Sequence, residues 1–458
     1  MIAEKVHISE LIGSRFDTSF VLYRHKILKY KYLVTPLFNY LEVKPQYGAG
    51  EAGVPRVDSA TPRYIRITDI DENGFLSTDL GVTANTVEAK YILNNNDILI
   101  ARSGNTVGKS YIHKTNIVHE KCFFAGYLIR FVIDSKKIMP DYVYIFTKLS
   151  PYRDWVKVTQ RVTGQPNINA EEYGSLPIPI PSIEVQQDIV RMYTQAIEQR
   201  QKKIHEAVRL LDGISDYLEE RLHINTNNRS ENSSSCNSFR VSISSLIGKR
   251  LDVSSNKGKF ELKSSVYPNE KLSSVVELDP IIRFTQYDKN MPISFIPMEC
   301  IDERYGEIAE YRETTVSDAK GYTRFEEGDL LWAKISPCMQ NGKSAIARNL
   351  KNGVGCGSTE YFVMRPKDSS VLIDYVYILL RHRDVLNAAQ SAFGGSAGQQ
   401  RVSSQYMKSI MLPLPDYATQ KSIVDEVYAR KRKAKRLQEA GDALLDEAKQ
   451  KIENHILK

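Results

Sequence analysis

The feature that most constrains this chain is an internal duplication: the same landmarks run past twice, about 234 residues apart. Ile8-Ser9-Glu10-Leu11-Ile12-Gly13-Ser14-Arg15-Phe16-Asp17 returns as Ile243-Ser244-Ser245-Leu246-Ile247-Gly248-Lys249-Arg250-Leu251-Asp252. Tyr142-Val143-Tyr144-Ile145 returns as Tyr375-Val376-Tyr377-Ile378, and Pro179-Ile180-Pro181 with Gln186, Ile189 and Val190 returns as Pro413-Leu414-Pro415 with Gln420, Ile423 and Val424. The offset drifts only between 232 and 235, so short insertions alone separate the copies. Solenoid repeats run to about 20–50 residues; a period this long marks a duplicated domain. Two similar modules in one chain imply a target that also has two parts.

Each copy reads as a mixed α/β block followed by one long helix. In the first, Tyr64–Thr68, Asp97–Ala101 and Phe124–Val132 have the short, β-branched or aromatic character of strands bounded by Asn, Asp and Gly. A helix is expected from Pro140 to about Gln160, with Pro-Asp in its first turn. The second copy answers with strands at Phe295–Met298, Asp329–Ala333 and Tyr361–Met364 and a helix from about Asp374. The proline segment 177–181 should close the first block, because proline stops helices and interrupts ladders.

Heptad spacing then takes over. Ile197, Ile204, Leu211 and Leu218 mark one seam, and Val427, Leu437 and Leu444 mark the other, where small residues at 434, 441 and 448 leave room for a close backbone. About 40 residues at 1.5 Å each make a rod of about 60 Å. Narrow seams demand a partner helix, and the repeat itself is the obvious one; an antiparallel pair would set the two blocks at opposite ends of the rod. Between the copies, 225–235 is polar and of low complexity, as a linker is.

The charge balance, +7 over 458 residues, is compatible with a polyanionic partner without requiring one. No apolar run approaches the length of a membrane span, and the start Met1-Ile2-Ala3-Glu4-Lys5 lacks the layout of a secretory signal. The five cysteines form no close pair, which argues against a disulfide framework or a cysteine zinc site and fits a cytoplasmic protein.

Two loop pairs stand out as candidate binding elements. The first follows a predicted buried strand in each copy: Arg102, Ser103, Asn105 and Lys109 in one, Lys334, Ser336, Gln340 and Lys343 in the other, each ending in Gly-Lys. Glycine permits close backbone approach, and lysine supplies a phosphate contact. The alternative is a plain hairpin turn with a surface lysine. The second pair precedes the proline segments: Arg161, Gln165 and Asn167, then Gln399, Gln400 and Arg401. Asn and Gln can contact adenine bidentately and Arg can contact guanine, so this composition suits reading of base edges; a glycine-rich connection that merely caps a helix is the competing reading. The Arg15/Asp17 and Arg250/Asp252 pairs fit a role in fixing the start of each domain, and the basic run Arg430–Lys433 fits a solvated helix face or, as the alternative, a contact with an acidic partner or the DNA backbone.

Catalytic signatures are missing. Ser103-Gly104-Asn105-Thr106-Val107-Gly108-Lys109-Ser110 fails as a phosphate-binding loop because Ser103 stands where the first glycine is needed, and the second copy has Pro337 there. No histidine pair has metal-ligand spacing, and the histidines are not repeated as a set between the copies. A catalytic site duplicated with its domain would leave paired traces; scaffold, proline segments and loops are what is paired.

The doubled order of Arg-hydrophobic-Asp start, Asn-Asp or Gly-Asp strand, Gly-Lys loop, Gly-Gln loop, Pro-x-Pro and Gln-x-x-Ile helix resembles the specificity subunits of type I restriction-modification systems, over nearly the whole chain. The resemblance implies two mixed α/β (α+β) target recognition domains joined by two long helices forming an antiparallel coiled coil. It implies the division 1–181 (first recognition domain), 182–223 (spacer helix), 224–238 (flexible linker), 239–415 (second recognition domain) and 416–458 (second spacer helix). The partners it implies are double-stranded DNA, two methyltransferase subunits and, in some complexes, motor-nuclease subunits, with no membrane. This chain would be non-catalytic and free of cofactor, S-adenosylmethionine residing on the methyltransferase. Three other readings stay open: a stand-alone DNA-binding or interaction protein, a nucleotide-dependent enzyme using Gly104–Ser110, and a methyltransferase fused to its reader.

Overall fold

The computed structural model describes Tyr23 and residues 30–160, 165–224, 262–394 and 400–457. The two Arg/Asp domain starts, the polar linker, Arg161 and Gln399 lie outside the described residues. The chain divides into two compact units, Met1–Lys203 with Glu439–Lys458 and Ile204–Gln438.

In the first unit, the strand Ile98–Ala101 sits centrally in a four-stranded antiparallel sheet, between Ser110–Ile112 and Leu128–Phe131, with Gln46–Tyr47 outermost. The second unit repeats the order: Leu330–Ala333 lies between Ser344–Ile346 and Tyr361–Pro366, with Val276–Leu278 outermost. Both central strands are buried on both faces, which is why they read as continuous apolar runs rather than alternating ones. Each begins after a buried aspartate. Asp97 Oδ2 accepts from Asn94 N at 2.6 Å and meets Arg130 at 2.8 Å; Asp329 Oδ2 accepts from Glu326 N at 2.7 Å and its Oδ1 meets Arg365 Nε at 2.7 Å. A second sheet in each unit is built on a parallel pair, Arg63–Ile65 with Cys122–Phe124 and Pro292–Ile296 with Val354–Gly357.

Three expectations need correction. Phe124–Val132 is not one strand: Cys122–Phe124 and Leu128–Phe131 belong to different sheets, and the chain turns at Ala125–Tyr127, where Gly126 N donates to Ala49 O and Leu128 N to Ala125 O. The helix expected over 140–160 is two, Pro140–Phe146 and Ser150–Thr159, because Pro151 cannot continue a helix but suits its first turn. The proline segment forms a ladder rather than ending one: Pro177–Pro179 pairs antiparallel with Val34–Pro36. Leu37 N donates to Leu176 O and Ile180 N to Leu33 O, so Pro36, Pro177 and Pro179 fall at the alternate positions where no N–H is needed. The second unit builds the same ladder from Asn269–Lys271 and Met411–Pro413.

The repeated tyrosines and glutamines fasten these parts. Tyr142 and Tyr375 donate to the carbonyls of Pro179 and Pro413, both at 2.7 Å. Tyr144 and Tyr377 reach the carbonyls of Gly74 and Gly306, turn residues with φ of +86° and +64° that glycine adopts without strain. Gln186 Oε1 accepts from Met139 N and its Nε2 donates to Pro181 O, both at 3.0 Å; Gln420 Oε1 accepts from Leu372 N and its Nε2 donates to Pro415 O and Ser370 O. Each glutamine thus ties the first turn of a long helix to its own α/β block.

Those helices are Ile183–Arg221 and Tyr417–Ile456. Asp416 caps the second, accepting from Thr419 N at 3.0 Å. In the first unit Arg200 pairs with Asp442 at 2.8 Å, and Ile189, Tyr193 and Ala196 share a core with Leu445, Ala448 and Ile452. In the second unit Glu206 meets Lys433 at 2.9 Å and Gly213 O accepts from Arg430, whose guanidinium lies 4.4 Å from the Tyr217 ring centroid. Rising numbers on one helix meet falling numbers on the other, as in an antiparallel coiled coil. Of the seam residues, Leu218 and Val427 are buried, Ile197 packs against the first core, Ile204 is half-buried, and Leu211 and Leu437 pack on Ala207 and Ala434. Leu444 is half-buried while its neighbour Leu445 is buried. At Gly441 a Cβ would stand 3.5 Å from the Arg200 carbonyl oxygen, so this is a point of close backbone approach.

Candidate nucleic-acid interface

The two loops singled out in each copy, about 60 residues apart in sequence, meet in space, and they meet the same way in both units. In the first, Ser103 bridges Asn167, Gly104 N donates to Pro166 O at 2.9 Å, and Ile168 N donates to Arg102 O at 2.9 Å. Gly104 has φ of +74°, and a Cβ there would come within 3.3 Å of Gln165 Nε2. In the second, Ile335 bridges Arg401, Ser336 N donates to Gln400 O at 3.0 Å, and Val402 N donates to Lys334 O at 2.9 Å. The backbone of one loop therefore fixes the other, and the side chains of Arg102, Ser103, Asn105, Gln165 and Asn167, or of Lys334, Ser336, Gln340, Gln400 and Arg401, arise from one joined platform.

Asn105 and Gln165 are exposed. Ser336 Oγ donates to Gln340 Oε1 at 2.7 Å, which ties down one turn of the second loop. The Gly-Lys lysines are occupied elsewhere: Lys109 Nζ pairs with Glu72 at 3.0 Å, and Lys343 Nζ donates to Met298 O at 3.1 Å. Both are anchored to acceptors of their own unit, whereas the Arg102 guanidinium lies 4.8 Å from the Tyr47 ring centroid and its buried Nε meets no acceptor among the described residues.

Sequence reasoning missed three participants. Tyr47 carries Arg102, and its hydroxyl accepts from Ala170 N at 3.1 Å, locking it to the second loop. Tyr127, 68% exposed, stands beside Arg102, whose N donates to Tyr127 O at 3.0 Å. Glu360 grips Arg401 with two bonds of 2.8 Å, and that bond holds its carboxyl below the usual range. A signal existed only for Tyr127, in the Gly126-Tyr127 break of an apolar run.

A phosphate-cradling loop needs a helix N-terminus behind it; Gly104–Ser110 instead runs into the strand Ser110–Ile112. Among the described residues one trio has metal-binding types, Glu219, His382 and Asp384. Yet His382 Nδ1 accepts from Asp384 N at 3.2 Å, so Nε2 carries the proton it gives Glu219 at 3.1 Å, and neither nitrogen is left to hold a cation. No helix among the described residues is long and apolar enough to cross a membrane.

Each unit thus carries an α/β block with the same loop joint, fastened to a long helix by the same glutamine. Residues 63–209 match the family model described as the type I restriction modification DNA specificity domain. Two curated relatives from Escherichia coli agree: the type I restriction enzyme EcoEI specificity subunit, 36% identical over 179 residues, and the EcoAI specificity subunit, 34% identical over 174. In each case the match covers 38% of this chain and 29% of the relative, so the chain spans under a third of the proteins it resembles. A solved type I S subunit from M. genitalium aligns over 92% of this chain and 96% of its own, at 11% identity and a TM-score of 0.40. The second unit lies largely beyond residue 209, and its kinship to the first rests on the shared sheet order, the paired tyrosines and glutamines, and the same loop joint.

Proposed function

We propose that this chain is the non-catalytic, sequence-reading subunit of a type I restriction-modification complex in the cytoplasm. Each unit reads one half of an asymmetric, bipartite site on double-stranded DNA. The observation that carries this reading is the joined loop platform, built identically by backbone bonds in both units and furnished with different side chains in each. A fixed frame with variable donors and acceptors suits recognition of two different base sequences in the major groove. Arg102, Ser103, Asn105, Gln165 and Asn167 serve one half-site, with Arg161 of the same loop; Lys334, Ser336, Gln340, Gln400 and Arg401 serve the other, with Gln399. Lys109 and Lys343 contribute to phosphate contact only after leaving Glu72 and the Met298 carbonyl.

The α/β blocks end near residues 181 and 415, where the proline ladders hand over to the helices. The long helices act as a spacer and dock two methyltransferase subunits, which bring S-adenosylmethionine; motor-nuclease subunits join through them. The test is a domain exchange: residues 1–181 replaced by the matching part of another family member, followed by mapping of methylated sites in cells carrying the partner. One half-site should change and the other persist. A change in both halves would refute modular reading, and binding without any associated methylation would leave a two-headed DNA-binding protein.

A further inference from the structure

The internal repeat allows one platform to be laid on the other by register alone. Ala101 pairs with Leu128 and Ala333 with Tyr361; Arg102 N donates to Tyr127 O and Lys334 N to Glu360 O. Tyr127 and Glu360 therefore hold equivalent positions at the edge of the loop joint. In the first unit that position is an exposed phenol beside an arginine that has an aromatic ring under it. In the second it is a carboxylate, bonded through Oε2 to Arg401 Nε and through Oε1 to Arg401 NH2. Glu360 N is itself held by Ser358 Oγ at 3.2 Å, and its carbonyl by Lys334 N, so the carboxylate rises from a fixed stem.

We infer that Glu360 is a specificity-determining residue of the second unit, fitting that platform to a G·C pair. The inference rests on the loop platforms being the DNA-reading surface. A carboxylate is the side chain that accepts from the exocyclic amine of cytosine, and a guanidinium is the one that donates to guanine O6 and N7. Glu360 and Arg401, held side by side, offer both halves of that pattern to one base pair. Their bidentate bond also fixes the plane of the guanidinium, which a long arginine side chain otherwise leaves free to turn. The first unit has a neutral phenol rather than a carboxylate at the matching place, so its platform lacks the anionic acceptor that favours a cytosine amine.

The full chain, as it purifies from its native cells with any bound partner, is selected against a randomised duplex library and the bound sequences are read. For Glu360→Gln, which keeps the shape and removes the anion, preference at a single G·C position should fall about tenfold or more. The other positions of that half-site and the whole of the other half should stay unchanged. Glu360→Tyr, which copies the first unit, should lose the same position, and Glu360→Asp should restore part of it. Unchanged preference in both the Gln and Tyr variants overturns the assignment. Loss spread over every position of the half-site also overturns it, since that marks a purely structural role. Wild-type protein that selects no sequence at all refutes the DNA-reading function itself, a result distinct from either of these.

Discussion

Replacing Gln420 by methionine keeps the length and volume of the side chain but removes an amide that is 1% exposed. Three bonds of 3.0 Å go with it: Leu372 N into Oε1, and Nε2 into the carbonyls of Pro415 and Ser370. Leu372 immediately precedes the helix Ile373–Leu380, and its N–H would be left without an acceptor. A typical net hydrogen bond contributes about 1 kcal/mol, and an orphaned buried donor costs about 1–3 kcal/mol. Carbonyls tolerate under-satisfaction better than N–H groups do. The expected loss is therefore about 3–4 kcal/mol, dominated by the Leu372 amide. Gln186, with one bond to Met139 N and one to Pro181 O, should lose less in the same substitution, about 2–3 kcal/mol. Denaturant unfolding monitored with hydrogen exchange separates the two: Gln420→Met should deprotect Ile373–Leu380 and Gln186→Met should deprotect Pro140–Phe146. The two glutamines share no partner, so the double variant should be additive within about 0.5 kcal/mol. A Gln420→Met protein within about 1 kcal/mol of wild type would refute the claim that this amide fastens helix to block. So would deprotection spread evenly over the chain.

Gly441→Leu should destabilise the helix pair by about 1–3 kcal/mol, because the new side chain must displace Arg200, which a Cβ alone already approaches to 3.3 Å at Cγ; thermal unfolding checks it, and an unchanged midpoint would count against close packing there. Burial pushes the His113 imidazole down to about 4, so the folded protein binds fewer protons than the unfolded chain between that value and about 6.5. Stability carried by this residue is complete above about 6.5 and is lost as the pH falls toward 4. His113→Gln should flatten the acid limb of a denaturation-midpoint profile across that window, and an unaltered limb would point to another group.

What could be read from the sequence was what repeats and what alternates. Buried strands at Ile98–Ala101 and Leu330–Ala333, and helices at Ile183–Arg221 and Tyr417–Ile456, follow from local apolar pattern, which needs no knowledge of partners. The duplication went further. Tyr142, Tyr144 and Gln186 recur because each serves a hydrogen bond to a carbonyl or amide distant in sequence, so any change would strand a buried polar group. Proline misled because its effect depends on which face of a ladder it meets, a matter of register with Val34–Pro36 that lies about 140 residues away. The loop platform was half legible for the same reason turned round. Its backbone joint repeats, so the loops were found; its side chains do not, so Tyr47, Tyr127 and Glu360 left no paired trace. The proposed reading of two half-sites requires that combination: the frame must be copied and the contacts must differ. Divergence confined to side chains on a repeated joint is what the proposed reading predicts, and the register-matched pair Tyr127 and Glu360 is where it is sharpest.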